Sequence, residues 1–500
     1  MPKRLLHKSE TIMPKDILYR YVTELITTTY KDFAIYACGG FVRDLALGIE
    51  PKDLDLVVST NPEVFAQELS KILESNYFVL DETRNIFRIT YSKSDVILHI
   101  DISELVLSIE NDALTRDFTI NSLYIPIDKL LFENPIEFII DPLEGLSHLN
   151  QRKLKAVNED IFKDDTIRLL RAVRLSEFLK FEINNQTKKQ IREDSKLIQT
   201  CAPERIHDEL MNIMSFDIGS MKAIKQLNDL DLLFNIIPEL KLGVNENQPK
   251  EHYWDIFEHN VQTVGYFENI IHSINIDGWI LDEIYWNPRL KDYFMNQNIS
   301  GYTRYSVVKL ACLLHDIAKP HTKTIENERI RFKGHHREGA IISEGILKNL
   351  RFSKKHVRGI STIIDHHLRP GQMSHEGQLP SDKAIYRFFR SSEDFAIDTI
   401  YLNLADYLAA RGPLLEKQEW IDYVSKVNHI YLQGTKQQDD PKYDRLVNGR
   451  QLMQELGLSS GPIIGNILEE IQEEVISGKI TEYEDAIQYA KVILNRETNR

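Results

Sequence analysis

The chain has 500 residues, more than one ordinary domain needs, and its 42% hydrophobic and 27% charged residues are those of a globular protein. No apolar run is long enough to span a bilayer, and Cys38, Cys201 and Cys312 lie too far apart in sequence to suggest a disulfide framework or a paired ligand, so a cytoplasmic protein is expected. The net charge of −14 argues against a uniformly basic nucleic-acid surface, although local patches decide such binding, and residues 151–192 carry 11 Lys or Arg against 6 Asp or Glu.

Residues 1–10 are basic without the apolar centre of a secretory signal, and read as a frayed terminus, with a short transit segment as the other reading. A strand is expected over 33–38, then Gly39-Gly40, then a helix over about 41–47. Further strands are expected at 55–59 and 97–102, and helices almost throughout from about 162. The segment 433–442, rich in Gln and Asp with a Gly and a Pro, reads as a linker, and a second break is expected near 243–250. Eleven of the 16 histidines fall between His252 and His375, which suggests a metal centre there.

The first chemical centre is Gly39-Gly40-Phe41-Val42-Arg43-Asp44 followed by Lys52-Asp53-Leu54-Asp55-Leu56-Val57-Val58. Residues two apart on a strand share a face, so Asp53 and Asp55 project together while Leu54, Leu56 and Val58 face a core. Adjacent carboxylates repel unless cations lie between them, and Mg²⁺ suits a site of few carboxylates completed by water and phosphate oxygens. Gly39 and Gly40 let backbone N–H groups approach a triphosphate at a helix start, where Arg43 can meet a phosphate.

This string resembles the nucleotidyltransferase motif of the class II tRNA CCA-adding enzymes and bacterial poly(A) polymerases, within the polymerase-β-like superfamily. Thr115-Arg116-Asp117-Phe118-Thr119-Ile120-Asn121, Asp141-Pro142-Leu143-Glu144-Gly145, the stretch from Asp164 to Leu175 and Pro203-Glu204-Arg205-Ile206 resemble the blocks that follow in that family, over residues 34–214. The resemblance implies metal binding by Asp53 and Asp55, and triphosphate contacts from Arg116, Arg171 and Arg174. Asp101, in His99-Ile100-Asp101-Ile102, is either a third carboxylate or a structural residue.

An enzyme that adds a fixed sequence without a nucleic-acid template must read the incoming base with side chains. Asp165 and Arg168, expected three apart on one helix, can accept from the exocyclic amine of C or A and donate to the neighbouring ring acceptor. G and U present the reverse edge and would leave buried groups unpaired, at about 1–3 kcal/mol each. The family's motif begins Glu-Asp; here Asp164 stands in place of that Glu.

The second centre follows the apolar run 307–314, which ends in His315-Asp316. His259 precedes it, and His335-His336, His366-His367 and Asp406 follow. Imidazoles and carboxylates together suit a divalent ion that activates water. The order resembles the HD phosphohydrolase superfamily and implies a ligand set of His259, His315, Asp316, His335, His367 and Asp406, with His366 as the alternative to His367. Family members show phosphatase or 2′,3′-cyclic phosphodiesterase activity. The tail, with Gly461-Pro462 opening a helix, offers an RNA-phosphate site or a plain structural cap.

The expected fold is α+β: a nucleotidyltransferase head (30–145), a helical neck and body (146–245), an all-α HD domain (250–412) and a helical tail (440–500). The expected function is addition of CMP and AMP, from CTP and ATP with Mg²⁺, to complete CCA at the tRNA 3′ end, joined to an HD phosphohydrolase with a second divalent metal. The rivals are a partial CC- or A-adding enzyme, a poly(A) polymerase, and an HD phosphohydrolase whose head only binds RNA.

Overall fold

The computed structural model describes residues 15–498 apart from 83, 94–95, 106 and 374–377; the terminal segment 1–10 and His375 therefore lie outside the described residues. Contacts divide the chain into two compact units, Met1–Cys201 and Ala202–Arg500, a division that falls inside the stretch 146–245.

The first unit is built on a six-stranded sheet of order β3-β4-β5-β2-β1-β6. Its strands are β1 (Ile35–Cys38), β2 (Asp53–Val58), β3 (Asn76–Asp81), β4 (Ile86–Lys93), β5 (Val96–Glu104) and β6 (Tyr124–Pro126). Helix α1 (Lys15–Thr29) precedes β1, and α2 (Gly39–Ala46) follows it without a loop. β2 and β5 run parallel, and the other neighbours are antiparallel. Leu54, Leu56, Val57 and Val58 are buried under the sheet, so the alternation from Asp53 to Leu56 turns both carboxylates to the opposite face.

Several boundaries differ from the sequence expectation. β2 begins at Asp53 rather than 55, so both aspartates lie inside the strand, and α2 begins at Gly39 itself. β3 and β4 were not anticipated. β4 alternates buried and half-buried residues cleanly, whereas β3 is an exposed edge strand whose Phe78, Val79 and Leu80 all face solvent, which removes its period-two signature.

Beyond the sheet the chain is helical apart from short paired strands, as expected. Helix α3 (Arg168–Leu179) carries the basic ridge of the first unit. In the second unit α4 (Ile256–His272), α5 (Arg304–Leu314), α6 (His335–Asn349), α7 (Lys354–His366), α8 (Asp382–Ser392) and α9 (Ala396–Arg411) form one helical body. Every residue of α5 from Tyr305 to Leu314 is buried, so it is the central rod of this body. A hairpin, Lys323–Glu326 paired with Arg329–Phe332, projects just before α6.

The segment 433–442 is not a linker. The helix Lys417–Asp439 runs through most of it, because Tyr431 and Gly434 continue a buried helix face and the Gln437 amide donates to the Asp382 carbonyl at 3.1 Å. The tail has a core of its own, with Leu452, Ile467, Ile471 and Ala490 at its centre. Its helix α10 (Pro462–Ile476) meets α8 through Lys383–Glu474 and Arg387–Glu473, both 2.5 Å, and Arg390–Glu469. Among the described residues no helix is long and apolar enough to cross a membrane.

Candidate active site and metal centre

In the first unit Asp55 pairs in register with Asp101 on the neighbouring parallel strand, which brings two carboxylates to one edge beside Asp53. Arg88 on β4 grips Asp101 with both arms, at 2.6 and 2.7 Å, and stands 3.9 Å from Asp53 Oδ2. Asp101 is thus engaged by a guanidinium, which favours the structural of its two roles. Burial, with Asp101 and Asp53 adding to it, pushes the Asp55 carboxyl up to about 6 even against Arg116 and Arg171. A cluster that resists ionisation in this way has the charge deficit that a divalent cation removes.

Gly39 sits against this carboxylate. Its φ is +66°, and a Cβ there would lie 3.0 Å from Asp55 Oδ2 and 3.2 Å from Arg116 Nη1. Only glycine leaves the gap between carboxylate and guanidinium open. Arg116 is itself fixed: its Nε donates to Asp112 Oδ2 at 2.9 Å and to the Tyr124 hydroxyl at 3.0 Å, and Nη2 reaches Cys38 Sγ at 3.1 Å. Arg43 lies beside Gly40, bonded to Asp44 at 2.8 Å and to Asn121 Oδ1 at 2.7 Å. Asn121 in turn donates to Asp117 at 2.9 Å, and Asp117 pairs with Arg171 at 2.8 Å. A continuous chain of polar contacts therefore runs from α2 to α3.

Asp165 and Arg168 do not lie on one helix. Asp165 is extended, with φ −154° and ψ 105°, just after a short helix that ends at Asp164, and Arg168 opens α3. The break still leaves the two side chains together, with Arg168 Nε 4.0 Å from Asp165 Oδ2. Arg168 Nη2 donates to the Thr115 carbonyl at 2.6 Å, which holds the guanidinium in place. Arg171 and Arg174 follow on α3, one and two turns on, half-buried.

In the second unit six side chains converge. His259 Nε2 lies 3.0 Å from Asp406 Oδ1, 3.3 Å from Asp316 Oδ2 and 3.2 Å from His315 Nε2. His335 Nε2 lies 3.2 Å, and His367 Nε2 3.7 Å, from the other oxygen, Asp316 Oδ1. The ligand atoms thus form two groups, His259-His315-Asp316-Asp406 and Asp316-His335-His367, which share Asp316. Among the described residues these are the groups of three or more such atoms within 4.8 Å of one another.

The protonation pattern suits metal ions. His315, His335 and His367 each turn Nδ1 to a backbone carbonyl, of Cys312, Phe332 and Ile364, at 2.8, 2.6 and 2.7 Å. That contact places the proton on Nδ1 and leaves the Nε2 lone pair facing inward. His335 Nε2, His367 Nε2 and Asp316 Oδ1 are buried with no hydrogen-bond partner, the state of a ligand awaiting its ion. Burial, reinforced by His315, pushes His367 down to about 3 and keeps it neutral. Burial would also lower His315, but Asp316 and Asp406 outweigh it and push the imidazole up to about 10, a sign that the carboxylates demand positive charge at this point. His366 turns its Nδ1 to Thr362 on its own helix and lies outside both groups, so of the two neighbours His367 is the one brought to the centre.

Four family models match the chain: the poly A polymerase head domain over 35–155, the probable RNA and SrmB-binding site of polymerase A over 180–242, the HD domain over 297–411 and tRNA nucleotidyltransferase domain 2 (putative) over 433–490. A CC-adding tRNA nucleotidyltransferase of Thermus thermophilus is 29% identical over 472 residues, covering 91% of this chain and 94% of that one. An A-adding tRNA nucleotidyltransferase of Deinococcus radiodurans is 28% identical, covering 88% and 91%. The chain thus carries a poly A polymerase head, an HD domain and tRNA nucleotidyltransferase domains, and is similar over about nine tenths of its length to tRNA nucleotidyltransferases. The fold agrees: the Thermotoga maritima CCA-adding enzyme, solved with tRNA, superimposes with a TM-score of 0.57 at 20% identity over 97% of this chain and 96% of that one.

The structure adds residues that motif reading missed and gives a role to one block that it found. Arg84, from the turn between β3 and β4, bonds to Asp165 across 81 residues of sequence. Asp141 accepts from the backbone N–H of Gly145 and Leu146, at 2.6 and 2.9 Å, so the Asp-x-x-x-Gly block is a structural brace. A Cβ on Gly145 would collide with the Thr119 carbonyl, which explains the glycine. Gln248, His252 and Lys319 border the HD centre, with the Lys319 ammonium 2.8 Å from Gln248 Oε1 and 3.4 Å from His252 Nε2.

Proposed function

We propose that the head adds CMP and AMP, from CTP and ATP, to the 3′ end of tRNA without a template, completing CCA, and that the HD unit is a metal-dependent phosphohydrolase, in a cytoplasmic protein. The observation that carries the first half is the bare backbone at Gly39, φ +66°, which lies against both the Asp55 carboxylate and the Arg116 guanidinium with no side chain between them. A triphosphate suits these surroundings because the exposed backbone can approach its oxygens, the carboxylate offers a cation ligand and the guanidinium a fixed positive charge.

Mg²⁺ held by Asp53 and Asp55 would supply activation of the attacking 3′-hydroxyl and charge neutralisation on the leaving pyrophosphate. The protein's own residues do the rest. Gly39 and Gly40 admit the phosphates, and Arg43, Arg116, Arg171 and Arg174 bind them. Asp165 accepts from the exocyclic amine of cytosine or adenine, and Arg168 donates to the ring nitrogen beside it. The basic stretch 151–192 supports contact with the RNA backbone.

A partial enzyme, adding CC or the terminal A alone, is the second reading, because relatives matched over about nine tenths of the chain bear those two names. In the HD unit the two ligand groups that share Asp316 support a pair of ions rather than one, with His259, His315, Asp316, Asp406, His335 and His367 as their holders. Hydrolysis of a phosphomonoester or a 2′,3′-cyclic phosphate would prepare damaged ends for nucleotide addition.

Asp53→Ala tests the division of labour. Nucleotide incorporation into a tRNA transcript is expected to disappear, while manganese-dependent hydrolysis of p-nitrophenyl phosphate persists. Retained incorporation in this variant would refute the catalytic head.

A further inference from the structure

Asn403 is a buried amide on an apolar helix. It is 3% exposed on α9, flanked by the buried Leu402 and Leu404. An amide so placed costs stability unless both of its ends are bonded. Both are: Nδ2 donates to the His367 carbonyl at 2.9 Å, and Oδ1 accepts from the Tyr423 hydroxyl at 2.6 Å. The His367 carbonyl can only accept, so the amide nitrogen faces it and the oxygen is left for the hydroxyl. Tyr423, on the helix Lys417–Asp439, is fixed in turn by its ring, which stacks on Tyr407 with centroids 3.9 Å apart and an interplanar angle of 21°. Gly371 leaves room for the hydroxyl, since a Cβ there would lie 3.0 Å from Tyr423 Oη.

This relay ends on one of the two ligand groups. His367 belongs to Asp316-His335-His367, whereas Asp406 belongs to His259-His315-Asp316-Asp406. Asn403 and Asp406 are three apart on α9 and so share a face. One helix face thus gives a carboxylate to the first group and a backbone clamp to the second. His367 stands just past the last residue of α7, at the end where carbonyls lack helical partners. Its ring is held by the Nδ1 contact with Ile364 at 2.7 Å and its backbone by Asn403. Without the clamp the helix end can turn, and Nε2 loses its aim at Asp316 Oδ1, 3.7 Å away.

We propose that Asn403, held by Tyr423, is a positioning residue that secures the ion of the His335-His367 group, and so decides whether the HD centre holds two ions or one. This rests on the two-ion reading and deepens it by naming what sets the occupancy of the second position. The opposing view is that the relay only braces α7 and α9 against the helix Lys417–Asp439, in which case its loss lowers the melting transition and affects both ions alike.

The test uses the full chain, stripped with a chelator and titrated with Mn²⁺. Calorimetry gives the number of ions and the affinity of each, and electron paramagnetic resonance reports whether neighbouring ions are spin-coupled. The parent is expected to bind two ions and to show the coupled spectrum. Asn403→Leu should bind the second ion roughly 10- to 100-fold more weakly, the scale on which a metal-binding histidine depends on the groups that orient it, with the first ion within a few-fold of the parent. Its spectrum should be that of an isolated ion at concentrations where the parent is coupled. Tyr423→Phe removes one oxygen and leaves the amide in place, so it should weaken the same ion by less. Equal weakening of both ions in either variant, or two tight ions and an unchanged coupled spectrum in both, would overturn the proposal. A single ion in the parent would overturn the two-ion reading, and the proposal with it.

Discussion

Asp165 has the local backbone of a hinge and the surroundings of a reader. Its extended conformation breaks the helical segment before α3, so the carboxylate is held by side chains, Arg84 and Arg168, rather than by a helix face. If it reads the exocyclic amine, Asp165→Ala should lower discrimination of CTP over UTP by roughly 10- to 100-fold, the equivalent of one buried unpaired group. The measurement is kcat/KM for each of the four nucleotides; unchanged discrimination would remove Asp165 from the reading role. Its place in the motif was legible because the chemistry requires an acceptor and a donor close together. Its conformation was not, since a three-residue spacing fits both a helix and this break. Arg84 left no trace in the sequence, because a lone arginine in a turn shows its partner only after the sheet has formed. The six side chains that converge in the HD unit were legible for the opposite reason: adjacent histidine and aspartate after an apolar run is a rare pattern. The choice between His366 and His367 needed the helix end, where His367 turns inward beyond the last turn of α7.

Helix α5 is apolar enough to be recognised as core from sequence alone, yet it holds Lys309 at its centre with no exposed surface. The ammonium donates to the Phe216 carbonyl at 2.5 Å, to Ser220 Oγ at 2.8 Å and to Glu268 at 3.3 Å. Glu268 also accepts from the backbone N–H of Gly219 and Ser220, so the pair ties α4 and α5 to the start of the helix Ser220–Asp229. Burial pushes Lys309 down to about 8 in spite of Glu268. Removing one partner strands the other charge in the core, so Lys309→Met should destabilise the second unit by about 3–5 kcal/mol. The double variant Lys309→Met with Glu268→Leu should lose less, as both charges leave together. Denaturant unfolding followed by tryptophan fluorescence checks the order, and equal losses would deny the coupling. The misread linker teaches a related lesson. Gln, Asp, Gly and Pro are turn-formers on average, but in 433–442 a helix face packed against α8 overrides that tendency.

At the scale of the molecule, the sequence carried the order of the parts better than their borders. The head was visible from a compact run of motifs and the HD body from its histidines, because each chemistry confines particular residue types to short intervals. The division between Cys201 and Ala202 left no such mark, since helices on both sides share one amphipathic pattern. The two sites are each complete within one unit, which suits two activities carried by one chain. The most direct test of the central claim uses tRNA transcripts ending at the discriminator base, at C and at CC. Each is incubated with the full-length protein, Mg²⁺, and CTP, ATP or both, and the products are sized on a gel. Growth of the bare end by three residues to CCA, and no further, is the predicted result. Arrest at CC, or action on the CC end alone, would select the partial enzyme, and a long ladder of A a poly(A) polymerase. Failure to extend any transcript with any nucleotide would contradict the account.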